Sequence, residues 1–405
     1  MLPEWRLCFR GDVMSAAPAL STLADREPVI VDMVRTPVGR RNGALREWHS
    51  ADLLAVVLDA LVTRIGLPRA AVDDVVAGCA TQVGMQAGNV ARTALLTAGF
   101  PVTVPGTTVQ RACGSSQQAV HFADNLIRSG TCDIVIAAGV ELMSVTQGGN
   151  DDTKYGRRYP EDLVARYSMP SMGEAAERIA ERWDLSRAYL DELSLRSHTL
   201  AAAAQDAGRF ADYLLPVAAA EGSTLDRDEG VRRETSLEKL ATLKTSFRPD
   251  GRVTAGNSSQ VSDGAAGLLM MTAAKAREYG LRPRARLHSQ LVVGVDPEVM
   301  LTGPIPATRA ILERAGLALG DIDLFEINEA FASVLGAWLK ELKPDLDRVN
   351  VNGGSIAMGH PLGSSGARLM TILISELERR GGRFGLQSMC CGGGLGTATL
   401  IERIG

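Results

Sequence analysis

Cysteine is scarce in this chain of 405 residues: six are present, at positions 8, 79, 113, 132, 390 and 391, with no regular spacing. A chain of this length can bury its own core without covalent staples, so a reducing, cytoplasmic setting is expected rather than a disulfide framework. Neither a C-x-x-C pair nor an H-E-x-x-H helix occurs, which removes the usual zinc motifs. Charge of one sign is lacking as well. Lys and Arg number 43 against 47 Asp and Glu, so no global field favours a polyanion, and nucleic acid is not an expected partner. Long apolar runs are also missing, since Leu53 to Val62 is broken by Asp59 and Ile134 to Val140 is too short to span a membrane. The first 27 residues mix Glu4, Arg6, Arg10 and Asp12 with a short apolar patch, a poor signal peptide. They are expected to form a disordered tail, with Met14 an alternative start to Met1.

What is present is an ordinary globular composition, 45% hydrophobic and 22% charged, which excludes long disorder, coiled coil and collagen. The length exceeds the roughly 250 to 300 residues that one core usually supports, so at least two domains are expected. Two stretches echo each other. A helical run from Ala51 to Arg64 leads through Gly66 and Leu67 to the acidic start of a short strand, Val72 to Gly78. A second, from Thr308 to Ala315, leads through Gly316 and Leu317 to Asp321 to Glu326. Each is followed by a further strand that breaks at a polar turn and opens a helix: Thr107 to Val109 before Cys113, and Val349 to Val351 before His360. Each half then closes on an apolar strand, Ile134 to Val140 or Gly385 to Cys391. Alternating strands and helices, twice over, predict two α/β halves whose ligand lies beyond the carboxyl ends of the strands. The charged, partly helical stretch 143–261 interrupts the first half and reads as an inserted lid.

Four residues stand out chemically. Cys113 falls at a strand-to-helix turn, where free backbone N–H groups and the helix dipole favour a thiolate. His360 sits in Gly359-His360-Pro361-Leu362-Gly363, a loop shaped by glycine and proline, and a Cys with a distant His is the general requirement of thiol catalysis. Cys390 precedes Cys391-Gly392-Gly393-Gly394. Twelve of the 42 glycines lie between Gly353 and Gly396, interleaved with strands, which argues for close backbone approach and against a flexible linker. Asn328 ends a strand and can orient a water or an oxyanion.

Three of these segments, Asn328-Glu329-Ala330-Phe331, Val351 to Gly363 and Cys390-Cys391-Gly392-Gly393-Gly394, closely resemble the C-terminal signatures of the thiolases, the acyl-CoA acetyltransferases. Arg35-Thr36-Pro37-Val38-Gly39 resembles the family's N-terminal strand exit, and the resemblance runs over about residues 28 to 405. It implies a duplicated five-layered α-β-α-β-α fold with an inserted loop domain: residues 28–142 and 262–283 form the N-terminal half, 143–261 the CoA-gripping lid, and 284–405 the C-terminal half. It also implies CoA-dependent cleavage of a 3-oxoacyl-CoA, run through an acyl group on Cys113. His360 would activate Cys113 and help bind the thioester oxygen, Asn328 would hold a water in the same oxyanion hole, and Cys390 would move the proton at the α-carbon. The N–H groups of Cys113 and Gly392 would form a second oxyanion hole.

On the same resemblance, Met172 would face the acyl or pantetheine part, Ser259 would hydrogen-bond pantetheine, and Phe247, Met300 and Phe331 would line the tunnel. Arg232 would face the nucleotide phosphates. No permanently bound cofactor and no metal are expected; CoA and acyl-CoA are the ligands. A homodimer or homotetramer is implied, with β-oxidation enzymes as further partners. Gln110, Ser116 and Cys391 depart from the usual family residues, and Gln260 with Ser262 leans toward the degradative members. The alternatives are a biosynthetic acetoacetyl-CoA-forming thiolase and a non-catalytic acyl-CoA or lipid-binding relative. A 3-oxoacyl synthase would need a second histidine where Asn328 stands.

Overall fold

The computed structural model describes residues 23–146 and 156–405. Residues 1–22, which include Cys8, Met14 and most of the expected tail, and the loop Gln147 to Thr153 lie outside the described residues. The last part of that expected tail is packed: Leu23 is buried, and Arg26 donates to the carbonyls of Ile127 and Cys132 at 2.7 and 2.9 Å. A polar-looking segment is held because its one large apolar side chain joins the core.

The main strands run β1 (Pro28–Arg35), β2 (Gly39–Arg40), β3 (Asp74–Gly78), β4 (Gly106–Val109) and β5 (Ile134–Leu142). A small hairpin of β6 (Val217–Ala218) and β7 (Thr224–Leu225) follows in the lid. Then come β8 (Ser262–Thr272), β9 (Ala285–Gly294), β10 (Leu324–Ile327), β11 (Phe384–Cys391) and β12 (Leu395–Arg403). The order along the main sheet is β10-β11-β12-β9-β1-β8-β5-β3-β4, and within it the two halves meet at the pair Ile30 and Ala285.

Each half repeats one topology. In the first, β3 pairs in parallel with β4 and β5, and β8 and β1 add antiparallel. In the second, β10 pairs in parallel with β11 and makes a parallel bridge from Phe325 to Val349, and β12 and β9 add antiparallel. The acidic residue at each strand start has a definite task. An oxygen of Asp73 accepts the N–H groups of Asp133 and Ile134, and an oxygen of Asp323 accepts those of Arg383 and Phe384. Each carboxylate thereby sets the register of its strand against the next.

Apolar residues on both sheet faces give five layers. Helices Ser50–Thr63 and Val90–Thr97 cover the outer face of the first half. Helices Ser115–Arg128 and Ser365–Arg380 pack between the halves through Ala119, Ala123, Ala367 and Leu373. Helices Pro304–Ala315 and Ala332–Leu342 cover the second half. The central pair carries the site, because Cys113 lies just before the first of its helices and His360 just before the second. The lid leaves the sheet between β5 and β8, which pair directly, so its insertion leaves the ladder intact.

Candidate active site

Cys113 lies between β4 and helix Ser115–Arg128 on a turn that the backbone adopts only under constraint. Ala112 has φ +45°, a region costing roughly 1 to 3 kcal/mol for a residue with a side chain. Ser115 holds it there: its hydroxyl accepts the Arg111 N–H at 2.9 Å and donates to the Ala112 carbonyl at 2.6 Å. Gly114 follows without a Cβ because one would stand 2.7 Å from the sulfur of Cys391.

Cys113 is fully buried, and burial pushes its thiol up to about 12, partly countered by the N–H groups of Gly392 and of Cys113 itself. The thiolate expected from the helix terminus is therefore not the resting state: desolvation outweighs the dipole. Two backbone amides, those of Gly392 and Cys113, thus point at this sulfur. Cys390 is the last residue but one of β11 and is also enclosed. Burial raises its thiol well above the ordinary value, and the nearby Cys113 and Cys391 add to the shift. Cys79, Cys113, Cys132, Cys390 and Cys391 are all free thiols.

His360 is carried by the second half's loop. Gly359 before it has φ +102°, and a Cβ there would run into the Ser262 hydroxyl and Val38. Ser262 Oγ instead accepts the His360 N–H at 3.1 Å. The ring's Nδ1 is 2.6 Å from Ser365 Oγ, whose own proton goes to the Pro361 carbonyl at 2.8 Å. A hydroxyl has one proton, so with that proton assigned to the Pro361 carbonyl the ring hydrogen is assigned to Nδ1 and the lone pair to Nε2. That lone pair faces Asn328 Nδ2 at 3.3 Å, while Asn328 Oδ1 accepts from Ser355 Oγ at 2.7 Å. Burial, with a smaller contribution from Arg368, holds the imidazole down to about 3. At neutral pH the site thus contains a neutral base and two neutral thiols.

A cavity of about 380 Å³ opens on Cys113 and Gly392 and takes Met172 and Met300 into its wall. It also exposes residues that sequence reasoning missed: Gln82 from the loop after β3, and Arg158, the one charged side chain among the described residues that line it. Gln110, noted in the sequence only as a departure, is there too. Leu362, two residues beyond His360, brings the second loop to the same wall.

A second cavity, of about 390 Å³, lies on the lid. Arg232 lines it with Arg233, Lys239 and His198. His198 Nδ1 accepts the Arg232 N–H at 3.0 Å and fixes that backbone. Gln260 ties this cavity to the core by donating to the carbonyls of Gly230, Ile356 and Ala357. Phe247 and Phe331 stack edge to face, centroids 6.1 Å apart, and line neither cavity. Ser259 gives its N–H to the Ala330 carbonyl and lies beside Gln260. The cluster of cations at 232, 233 and 239 was the one signal for the missed cavity residues; Gln82 and Arg158 lie in loops that no periodicity marks. Among the described residues no group of His, Cys, Asp or Glu could hold a metal ion, and no helix is long and apolar enough to cross a membrane.

Comparison with known proteins gives a consistent result. The thiolase N-terminal domain matches residues 28–274 and the thiolase C-terminal domain residues 281–403. A steroid 3-ketoacyl-CoA thiolase of Mycobacterium tuberculosis is 47% identical over 393 residues, covering 93% of this chain and 94% of that protein. A 3-oxoadipyl-CoA/3-oxo-5,6-dehydrosuberyl-CoA thiolase of Escherichia coli is 44% identical over 400 residues, covering 94% of this chain and all of that protein. The crystal structure of the Bacillus anthracis acetyl-CoA acetyltransferase superposes with a TM-score of 0.87 at 42% identity, covering 93% of this chain and 99% of that one. With both domains matched, and with the duplicated sheet and paired cysteine and histidine loops in place, the chain belongs to the thiolase family of acyltransferases.

Proposed function

We propose that the protein cleaves a 3-oxoacyl-CoA with free CoA, giving acetyl-CoA and a shortened acyl-CoA, through an acyl group on Cys113. The observation that carries this is the convergence on one buried spot of the Cys113 sulfur, two backbone N–H groups and the Cys390 thiol. The two halves of the fold each contribute to it.

Because Cys113 rests as a thiol, the first step moves its proton to His360 Nε2 as the sulfur attacks the 3-oxo carbon. The bond between C2 and C3 breaks, and the acetyl-CoA enolate is protonated at its α-carbon by Cys390. Its oxygen is held at the Asn328 and His360 corner, where one donor contributes roughly 3 to 4 kcal/mol to the transition state. Free CoA then gives its proton to the Cys390 thiolate and attacks the acyl carbon. Cys113 leaves as a thiolate and recovers its proton from His360, so both thiols are restored. The N–H groups of Cys113 and Gly392 stabilise the oxygen on the acyl carbon in both steps.

The lid cavity with Arg232, Arg233 and Lys239 suits the phosphates of CoA. At the acyl end, Gln82, Gln110 and Arg158 favour an acyl group that carries a polar or anionic far end over a plain alkyl chain. That agrees with relatives named for 3-oxoadipyl-CoA, whose acyl part ends in a carboxylate. The test is CoA-dependent cleavage across 3-oxoacyl-CoAs of equal length with and without that carboxylate. Cleavage that needs Cys113 supports the reading; undiminished cleavage by Cys113→Ala would overturn it.

A further inference from the structure

Behind Asn328 lies a buried arginine that none of these steps uses. Arg368, on helix Ser365–Arg380, is 1% exposed. Its Nη2 donates to Ser355 Oγ at 2.8 Å and to the Gly359 carbonyl at 3.3 Å. Its Nε and Nη1, and one carboxylate oxygen of Glu326 on β10, find no hydrogen-bond partner among the described residues. A guanidinium kept so deep carries a desolvation cost that an apolar side chain at this place would not.

The chain of bonds is continuous. Arg368 donates to Ser355, Ser355 donates to Asn328 Oδ1, and Asn328 Nδ2 faces His360 Nε2. Arginine has donors only. It occupies Ser355 as an acceptor and leaves the hydroxyl proton to be given away, and Asn328 Oδ1 receives it. The amide is thereby turned with its N–H₂ group outward. In the resting site the lone pair on His360 Nε2 favours the same orientation. During turnover it does not: once His360 has taken the proton of Cys113, Nε2 becomes a donor and would draw Oδ1 toward itself.

We infer that Arg368 is a positioning residue which, acting through Ser355, locks the Asn328 amide with its N–H₂ group toward His360 and the substrate oxygen throughout the catalytic cycle. The inference rests on the proposed role of Asn328 and His360 at the thioester oxygen. The same guanidinium gives one more contact, to the carbonyl just before His360, so both partners of the oxyanion corner are referenced to one rigid helix.

The test compares Arg368→Lys, Arg368→Gln and Ser355→Ala in the full-length enzyme, with kcat and KM for cleavage of one 3-oxoacyl-CoA and thermal unfolding of each. Lysine only donates, so Arg368→Lys should keep kcat within about 10-fold of wild type. Glutamine can accept from Ser355 and free the amide to turn, so Arg368→Gln should lose about 100-fold in kcat with KM within a few-fold, as expected for loss of one oxyanion donor. Ser355→Ala should lose kcat to a similar extent, and adding Arg368→Gln to it should cost little more. Equal kcat for the Lys and Gln variants, or additive losses in the double variant, would overturn the lock. Where the arginine variants fail to fold, Ser355→Ala decides: wild-type kcat refutes the inference, and a loss in kcat at constant KM supports it. A wild-type enzyme inactive on every 3-oxoacyl-CoA would instead refute the function on which the inference stands.

Discussion

Replacing Cys390 by alanine separates the two chemical tasks assigned to the two thiols. Cys390 is fully enclosed, and burial together with Cys113 and Cys391 keeps it protonated, the form needed to protonate an enolate. Loss of its sulfur leaves a small cavity, so unfolding should become easier by about 1 kcal/mol and no more. The chemical cost depends on the reaction followed. Exchange of the acetyl group between acetyl-CoA and isotopically labelled CoA protonates no carbon: Cys390 serves there only to take the proton of the CoA thiol, a sulfur-to-solvent transfer that water can take over. Exchange should stay within about 10-fold of wild type. Cleavage of a 3-oxoacyl-CoA also needs a proton at the α-carbon, and loss of a positioned general acid typically costs about 10²- to 10⁴-fold. Both rates are measured on the same purified variant. If exchange and cleavage fall by the same factor, Cys390 supports the acyl-transfer site as a whole and the division of labour is wrong.

Three further predictions follow from burial and charge. The thiols of Cys79, Cys113, Cys390 and Cys391 are all raised by burial, whereas in the unfolded chain they titrate near about 8.5. Above that pH the unfolded chain releases protons that the folded one keeps. Stability should therefore hold below about pH 8.5 and fall above it, by roughly 1.4 kcal/mol per pH unit for each thiol. Denaturant midpoints that stay level to pH 10 would contradict this. Arg35 and Asp228 form a fully buried pair at 2.6 and 3.0 Å, and Asp228 also accepts the Val38 N–H. Asp228→Asn should cost about 3 to 5 kcal/mol in urea unfolding, because it strands a buried guanidinium; a shift under 1 kcal/mol would show that the pair is replaceable. Arg158→Gln should lower kcat/KM about 10-fold or more for a 3-oxoacyl-CoA with a distal carboxylate and leave its uncharged counterpart within about 3-fold. Equal losses for both would remove Arg158 from acyl recognition.

Much of the architecture could be read from local pattern. The two halves announce themselves through glycine turns and acidic strand starts, and Asp73 and Asp323 turn out to clamp equivalent strand pairs. Cys113, His360 and Cys390 stand out in the sequence because glycine or proline follows closely after each, and the structure places all three in buried surroundings. What escaped depends on distance in sequence. Arg368 reads as an ordinary helical arginine, and only tertiary packing shows that its face of the helix is turned inward. Gln82 and Arg158 come from separate loops that meet only in the folded protein. The protonation state of Cys113 was misjudged for a related reason: a helix terminus is visible in sequence, whereas full burial is not, and burial is the larger effect.

The account stands or falls on which sulfur carries the acyl group. Three thiols, Cys113, Cys390 and Cys391, are close enough for Cys113 to raise both of the others. Acid quenching during turnover of a 3-oxoacyl-CoA, followed by proteolysis and mass spectrometry, assigns the thioester to a peptide. The account predicts the acyl mass on the peptide that contains Cys113 and none on the peptide that contains Cys390 and Cys391. An acyl group on the latter peptide, or turnover with no acylated cysteine at all, would contradict it.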